Sequence, residues 1–255
     1  MLIVIGTFYT MLDIVEVVII IILCIVIYKY FEKSTYDVVF VKSSINGKEY
    51  LVRNLPDKQE AADLLGKLAV KLEKLVSIMQ EQGSDGIFNG FLKSGLVDEA
   101  KKDKSSDQSN QGLSNNVAVR NSTENTALDM KLKLKDDISR LVANFNPEAF
   151  SETTPDAKYT SYSVNKGEKI VFCLRDKKEG ELLVKENIMT FVAIHELAHL
   201  MTKSVGHEPE FWANFKLLLQ VAIANGLYKN IDFNNTPKDY CGVKITDTPI
   251  KPDGG

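Results

Sequence analysis

Two histidines and a glutamate near residue 195 have the types and the spacing of a metal site. His195, Glu196 and His199 form the pattern HExxH. Because residues four apart share one face of a helix, both imidazoles can bind the same ion. Glu196 lies about 100° around that helix, where it can reach a water activated by the ion without becoming a ligand. The spacing therefore predicts a zinc centre with a general base.

The residues that follow predict a sharp turn back toward the ion. Gly206 can adopt the left-handed conformation that ends a helix, and Pro209 suits the first turn of the next helix. The longer pattern HExxHxxGxxH is excluded, since its glycine and its third histidine would fall on Thr202 and Val205. A third ligand must therefore come from another position in this turn.

Three residues remain as candidates for the third ligand. A carboxylate on a later helix is excluded, because no acidic residue lies between Glu210 and Asp232. His207, Glu208 and Glu210 are left, and imidazole is the better donor for zinc. All three histidines of the chain lie within 13 residues, which also favours His207.

The segments around this site predict an α+β fold. A first β-hairpin is predicted at residues 37–53, with Asn46-Gly47 as its turn. A second is predicted at Thr160–Arg175, turning at residues 165–167. Its strand Lys169–Arg175 is expected either to form a sheet edge along the cleft or to be buried within the hairpin.

Composition divides the chain into four segments. Residues 83–128 are rich in Ser, Asn, Asp, Gln and Lys, and such a segment buries too little apolar surface to order itself. We therefore predict a flexible polar insert there. The predicted divisions are an anchor at 1–35, a hairpin and helix at 36–82 within the same fold, the insert at 83–128, and the metal-binding core at 129–255.

Residues 14–31 predict a single transmembrane helix. The run from Val17 to Tyr28 is free of charge, and 18 helical residues span about 27 Å, close to the ~30 Å hydrocarbon core. A signal peptide is disfavoured by the acidic start, Asp13 and Glu16. Lysines follow the apolar run, so the positive-inside rule predicts a single-pass protein with its C-terminal domain in the cytoplasm. A viral chain would instead carry this anchor in the virion membrane.

Charge and cysteine content exclude further classes. The formal net charge is −3, and residues 129–255 hold 17 Lys plus Arg against 18 Asp plus Glu. Nucleic-acid-binding domains carry a clustered basic excess, so no such footprint is present. Cys24, Cys173 and Cys241 are odd in number and far apart, which predicts neither a disulfide framework nor a cysteine-based zinc site and favours a reducing compartment.

The segment 194–212 resembles the compact zinc peptidases grouped as WLM-domain and SprT-like proteins. The resemblance is carried by HELAH, a short gap, and H-x-x-x-F-W. It implies a compact zincin-like metallopeptidase domain with a small antiparallel sheet and an HExxH helix. It also implies zinc ligands, a general base, and an aromatic pair at the start of the supporting helix; these are His195, His199 and His207, then Glu196, then Phe211 and Trp212.

Three other stretches resemble membrane-anchored, uncharacterised relatives encoded by giant DNA viruses and protists: EYLVRNLPDKQEAADLL, TSYSVNKGEKIVFCLR and DYCGVKI. The resemblance covers most of the chain outside the insert. It makes the first hairpin and helix part of the peptidase fold. The better-known relatives act on proteins crosslinked to DNA, an activity that the balanced charge of this chain does not support.

The residues and the resemblance together predict a membrane-anchored zinc endopeptidase that acts on a protein or peptide. Glu196 would take a proton from the zinc-activated water and deliver it to the leaving amine. The donor that stabilises the oxyanion stays open among Tyr228, Tyr240 and an arginine. The alternatives are a membrane-anchored scaffold in which the zinc is structural, and a DNA-associated repair protease.

Overall fold

Five short strands form one sheet in the computed structural model, which describes residues 16–28, 37–93, 116–176 and 180–250. Their spatial order is β1-β2-β3-β5-β4. The strands are β1 (Val38–Lys42), β2 (Glu49–Arg53), β3 (Phe150–Glu152), β4 (Tyr162–Val164) and β5 (Lys169–Phe172).

The sheet is mixed, so the predicted antiparallel sheet is wrong, although the α+β class is confirmed. Strands β2, β3 and β5 run parallel, whereas β1 and β4 are antiparallel to their neighbours. Parallel neighbours need a long crossover. The two long helices between β2 and β3 supply it. The alternation of residues within each strand does not indicate whether its neighbour runs parallel or antiparallel.

Both predicted hairpins are present. The turn between β1 and β2 places Gly47 at φ 71°, and the turn between β4 and β5 holds Asn165, Lys166 and Gly167 at φ 45°, 55° and 114°. Strand β5 pairs with β3 on one side and with β4 on the other. The free edge at this end of the sheet is therefore β4. Of the two alternatives for residues 169–175, the edge strand is wrong and the buried hairpin strand is found, with Ile170, Val171 and Phe172 buried.

Within the described residues there are five α-helices: α1 at residues 16–28, α2 (Lys58–Lys93), α3 (Asn116–Asn144), α4 (Glu186–Met201) and α5 (Pro209–Ala224). Helix α2 packs on β1 and β2 and contacts α3 and α4. Tyr50, Leu65, Leu68 and Phe172 are fully buried in the core that these elements share. The core thereby supports α4, the helix that carries HExxH.

The predicted transmembrane helix, and with it the predicted membrane localisation, is wrong. Helix α1 covers only 13 described residues, about 20 Å against the ~30 Å of a hydrocarbon core. Within the described residues, no helix combines the length and the apolar character needed to cross a membrane. The remainder of the predicted span, residues 14–15 and 29–31, lies outside the described residues. The predicted cytoplasmic orientation and the predicted contact of residues 14–31 with a lipid bilayer depended on that anchor.

The structure differs from the predicted insert at both of its ends. Helix α2 continues to Lys93, with a local break at Gly83, and α3 begins at Asn116. The glycines of GIFNGFL led us to predict a loop there, yet Ile87 and Phe88 are only 3% and 8% exposed. Burial of these side chains offsets the low helix propensity of glycine. Residues 94–115 lie outside the described residues.

We expect a Gly-Ser linker of about eight residues to replace residues 94–115 without loss of folding. Loop closure entropy changes slowly with length, and the composition of 94–115 is polar. The same linker in place of residues 84–125 removes Ile87 and Phe88, so it should lower the melting temperature by about 10 °C. Thermal unfolding followed by circular dichroism compares the two proteins, and equal melting temperatures would contradict the packing described here.

Cys173 and Cys241 form a disulfide, so the prediction that the cysteines form none is wrong. Their Cα atoms are 6.2 Å apart although 68 positions separate them in sequence. The bridge ties the end of β5 to a two-stranded hairpin, β6 (Lys238–Tyr240) and β7 (Val243–Ile245). The expectation of a reducing compartment depended on unpaired cysteines and loses its basis.

Candidate metal centre

Helix α4 holds HExxH in a rigid position because it is packed on nearly every side. Its sequence, ENIMTFVAIHELAHLM, is apolar around most of its circumference, and 12 of its 16 residues are buried. His195 and His199 are half-buried on one face. Side chains fixed in this way can bind an ion with little loss of entropy on binding.

The predicted reversal of the chain after α4 is present, but the helix ends at Met201 with Thr202 as its C-cap, four residues before Gly206. The backbone N–H and the hydroxyl of Thr202 both donate to the carbonyl of Ala198, at 3.0 and 2.7 Å. Gly206 adopts φ 87°, and α5 begins at Pro209. Residues 202–208, which we call the metal loop, return the chain to the open face of α4.

The metal loop brings His207 against the two histidines of α4. The Nε2 atoms of His207 and His195 are 3.1 Å apart, and one ring nitrogen from each of the three histidines lies within 4.8 Å of the others. In the part of the chain that the structure describes, this is the single group of three or more His, Cys, Asp or Glu residues able to hold a metal ion. Three imidazoles converging in this way match the donor set of a transition metal such as zinc.

The two acidic candidates for the third ligand lie elsewhere. Glu210 accepts hydrogen bonds from the backbone N–H and the hydroxyl of Ser204, at 3.2 and 3.0 Å. It also pairs with Lys133 at 3.1 Å. Glu208 is exposed at the start of α5. Of the three candidates left open by the sequence, the structure thus gathers His207 alone with the HExxH pair.

The ring of Phe211 contacts all three imidazoles. It is fully buried, and its ring stacks on His199 with centroids 4.3 Å apart and an interplanar angle of 29°. The rings of His195 and His207 make T-shaped contacts with the same ring, with centroids 4.8 and 4.6 Å apart. Trp212 is partly exposed and lies 5.9 Å from His207. The aromatic pair FW therefore orients the histidines and does more than fill the core.

Burial keeps the imidazoles of His195 and His199 neutral, which is the form that binds metal. Desolvation, with smaller contributions from His199 and His207, lowers the pKa of His195 to about 3. Desolvation and the charge of His207 also lower the pKa of His199, to about 4. Both rings are therefore unprotonated at neutral pH before any ion arrives.

Glu196 is a buried carboxyl next to the first histidine. It is only 4% exposed, and burial raises its pKa to about 7. A carboxyl with a pKa near the working pH is suited to accept a proton and then return it. A nearby divalent cation favours the ionised form and draws the pKa back down.

The C-terminal hairpin places a tyrosine beside the edge strand. The hydroxyl of Tyr240 lies 2.5 Å from that of Ser161, the residue immediately before β4. Burial raises the pKa of Tyr240, and the carboxyl of Glu196 raises it further. Tyr228, the other tyrosine proposed from sequence, packs against Phe191 with ring centroids 6.0 Å apart.

The arrangement defines a class of protein. An HExxH helix, a third histidine in the following turn and a buried glutamate beside the first histidine are arranged as a metal-binding site with a neighbouring carboxyl, next to a sheet edge packed beside that helix.

The chain belongs to the WLM domain family, whose model matches residues 108–248, more than half of its length. WLM domains are regarded as metallopeptidase domains, in agreement with this class of site. The family suggested by HELAH and H-x-x-x-F-W is thus confirmed.

The similar proteins are viral, as the other stretches suggested. The chain is 29% identical to the uncharacterized protein R325 of Acanthamoeba polyphaga mimivirus over 220 residues, 86% of this chain and 88% of that protein. It is 37% identical to the uncharacterized protein 136R of Invertebrate iridescent virus 6 over 82 residues, 32% of this chain and 44% of the relative. Protein 042R of Invertebrate iridescent virus 3 is 41% identical over 84 residues, 32% of this chain and half of that protein. No solved structure matches the chain significantly.

Proposed function

We propose that this protein is a zinc-dependent endopeptidase. His195, His199 and His207 are the zinc ligands, and Glu196 is the general base. The observation that carries the proposal is the convergence of three imidazoles next to a buried carboxyl. Three imidazoles are a donor set that zinc takes in catalytic sites, where the fourth position stays open.

When bound, zinc supplies a Lewis acid and lowers the pKa of water toward 7. Glu196 accepts the proton of the attacking water and later delivers it to the leaving amine. The buried position of this carboxyl supports the role, because exclusion of bulk water keeps its proton affinity high. A purely structural zinc site has no use for a base at this position.

The substrate that the site fits best is an extended polypeptide. Strand β4 pairs with β5 on one side, and among the described strands nothing pairs with its other side. Helix α4 packs against β4, so the open edge lies next to the HExxH helix. An extended peptide can add to such an edge through main-chain hydrogen bonds.

Tyr240 is the residue we assign as the additional donor to the oxyanion. Its hydroxyl lies at the start of β4 and interacts electrostatically with Glu196. A neutral hydroxyl that keeps its proton over the whole working pH range is a suitable donor to developing negative charge.

The proposal is tested by mass spectrometry of cleavage products. We expect the zinc-loaded protein to cut reduced, unfolded casein at internal positions within extended segments, and to leave folded globular proteins uncut. Zinc bound at one ion per chain, with no fragments from any unfolded protein, would show instead that the metal is structural and the chain a scaffold.

A further inference from the structure

The ammonium of Lys166 donates hydrogen bonds to three consecutive backbone carbonyls of the metal loop. Its Nζ lies 2.5 Å from the carbonyl oxygen of Thr202, 3.2 Å from that of Lys203 and 3.1 Å from that of Ser204. An ammonium has three N–H donors, so these three acceptors use its full capacity. The contacts fix the backbone conformation immediately before Gly206 and His207.

Lys166 is itself held in place by the tight turn between β4 and β5. Its backbone has φ 55°, and the next residue, Gly167, has φ 114°. A Cβ atom on Gly167 would lie 2.1 Å from the carbonyl oxygen of Asn144, at the end of α3. The turn therefore packs closely against the end of α3. Its backbone is held in place there, and the side chain of Lys166 extends from it to the metal loop.

Other polar groups hold the end of α4 and the first half of the same loop. Arg140 donates to the carbonyl of Met201 at 2.7 Å, and the buried Asp137 orients that guanidinium at 2.8 Å. Glu210 holds Ser204 from the side of α5. Cations at a helix C-terminus satisfy its unpaired carbonyls and oppose its dipole. Within this set, Lys166 is the residue that contacts three consecutive residues of the metal loop, Thr202, Lys203 and Ser204.

We propose that Lys166 is a positioning residue for the metal site. It holds the metal loop so that His207 reaches the ion together with His195 and His199. The inference rests on the proposed function, because it requires these histidines to be the zinc ligands. No spacing in the sequence connects Lys166 with the metal loop, since the β4–β5 turn alone brings Lys166 to residues 202–204.

The direction in which zinc affinity changes distinguishes a positioning role of Lys166 from a purely electrostatic one. Removing a cation near a bound dication strengthens metal binding if Coulomb interaction alone acts. Positioning predicts the opposite, because a loop that samples many conformations presents His207 less often. We expect Lys166→Met to weaken zinc binding about tenfold, in the range found for groups that orient metal ligands.

The experiment measures zinc affinity by competition with a chromogenic chelator on the full chain at 25 °C. Lys203→Met is the matched control, because it removes an exposed lysine of the same loop. Its affinity should stay within about twofold of the wild type. Circular dichroism establishes that each metal-free variant is folded, and Lys166→Gln serves for the same comparison if the methionine variant is not.

A second comparison shows whether Lys166 acts through His207. In a His207→Ala background, Lys166→Met should change zinc affinity by less than about threefold, because the ligand it positions is gone. An equal loss in both backgrounds, or a lower melting temperature with unchanged zinc affinity, overturns the positioning role and makes Lys166 merely structural. A wild-type protein that binds no zinc overturns the proposed function itself, and this inference with it.

Discussion

Replacing Glu196 with glutamine is expected to reduce peptide hydrolysis by about a thousandfold while one zinc ion stays bound. A positioned general base contributes about 10²–10⁴-fold to such reactions, and the amide has the same shape without the ability to accept the proton. The burial that raises the pKa of Glu196 also makes the site sensitive to this change. Initial rates on a fluorogenic peptide, with zinc content from elemental analysis, measure both effects.

Glu208→Gln provides the matched control for that substitution. Glu208 is an exposed glutamate one residue after His207, so it lies near the site without being part of it. We expect its hydrolysis rate to stay within about twofold of the wild type. A Glu196→Gln protein that retains more than about a tenth of the activity with full zinc content would rule out Glu196 as the general base.

Replacing His207 with alanine is expected to weaken zinc binding by more than about a hundredfold, because removal of a ligand exceeds the 10–100-fold cost of removing a group that orients one. Its Nε2 lies 3.1 Å from that of His195, which makes it an integral part of the donor group. Chelator competition measures the affinity.

The acidic neighbours of His207 distinguish this ligand set from its alternatives. Glu208→Ala should leave zinc affinity unchanged. Glu210→Ala should reduce it by less than about tenfold, since Glu210 only holds Ser204 in the metal loop. The assignment of the third ligand fails if Glu210→Ala removes the metal while His207→Ala retains it.

Local patterns predicted the parts of the site that lie close together in sequence. All three histidines lie within 13 residues, and HExxH, the glycine in the turn and the proline at the start of α5 are local signals, so short-range geometry decides their convergence. The two hairpins were predicted for the same reason, because a turn and its flanking strands are adjacent in the chain.

Most of the features that were missed or wrongly predicted depend on distant parts of the chain. The parallel pairing of β2, β3 and β5, the disulfide across 68 residues and the grip of Lys166 on the metal loop join segments that no local period relates. The extension of α2 past Gly83 depends on burial of Ile87 and Phe88, which overrides the local preference of glycine. The membrane prediction relied on hydropathy over 18 positions, whereas the described helix covers 13 residues.

The most direct measurement is a zinc titration of metal-stripped protein with hydrolysis of an unfolded protein as the readout. We predict no hydrolysis without metal, and a linear rise that ends at one zinc ion per chain, the stoichiometry set by the single group of three histidines in the described residues. Hydrolysis that persists in fully stripped protein, or an absence of hydrolysis when the three histidines hold zinc, would contradict the account.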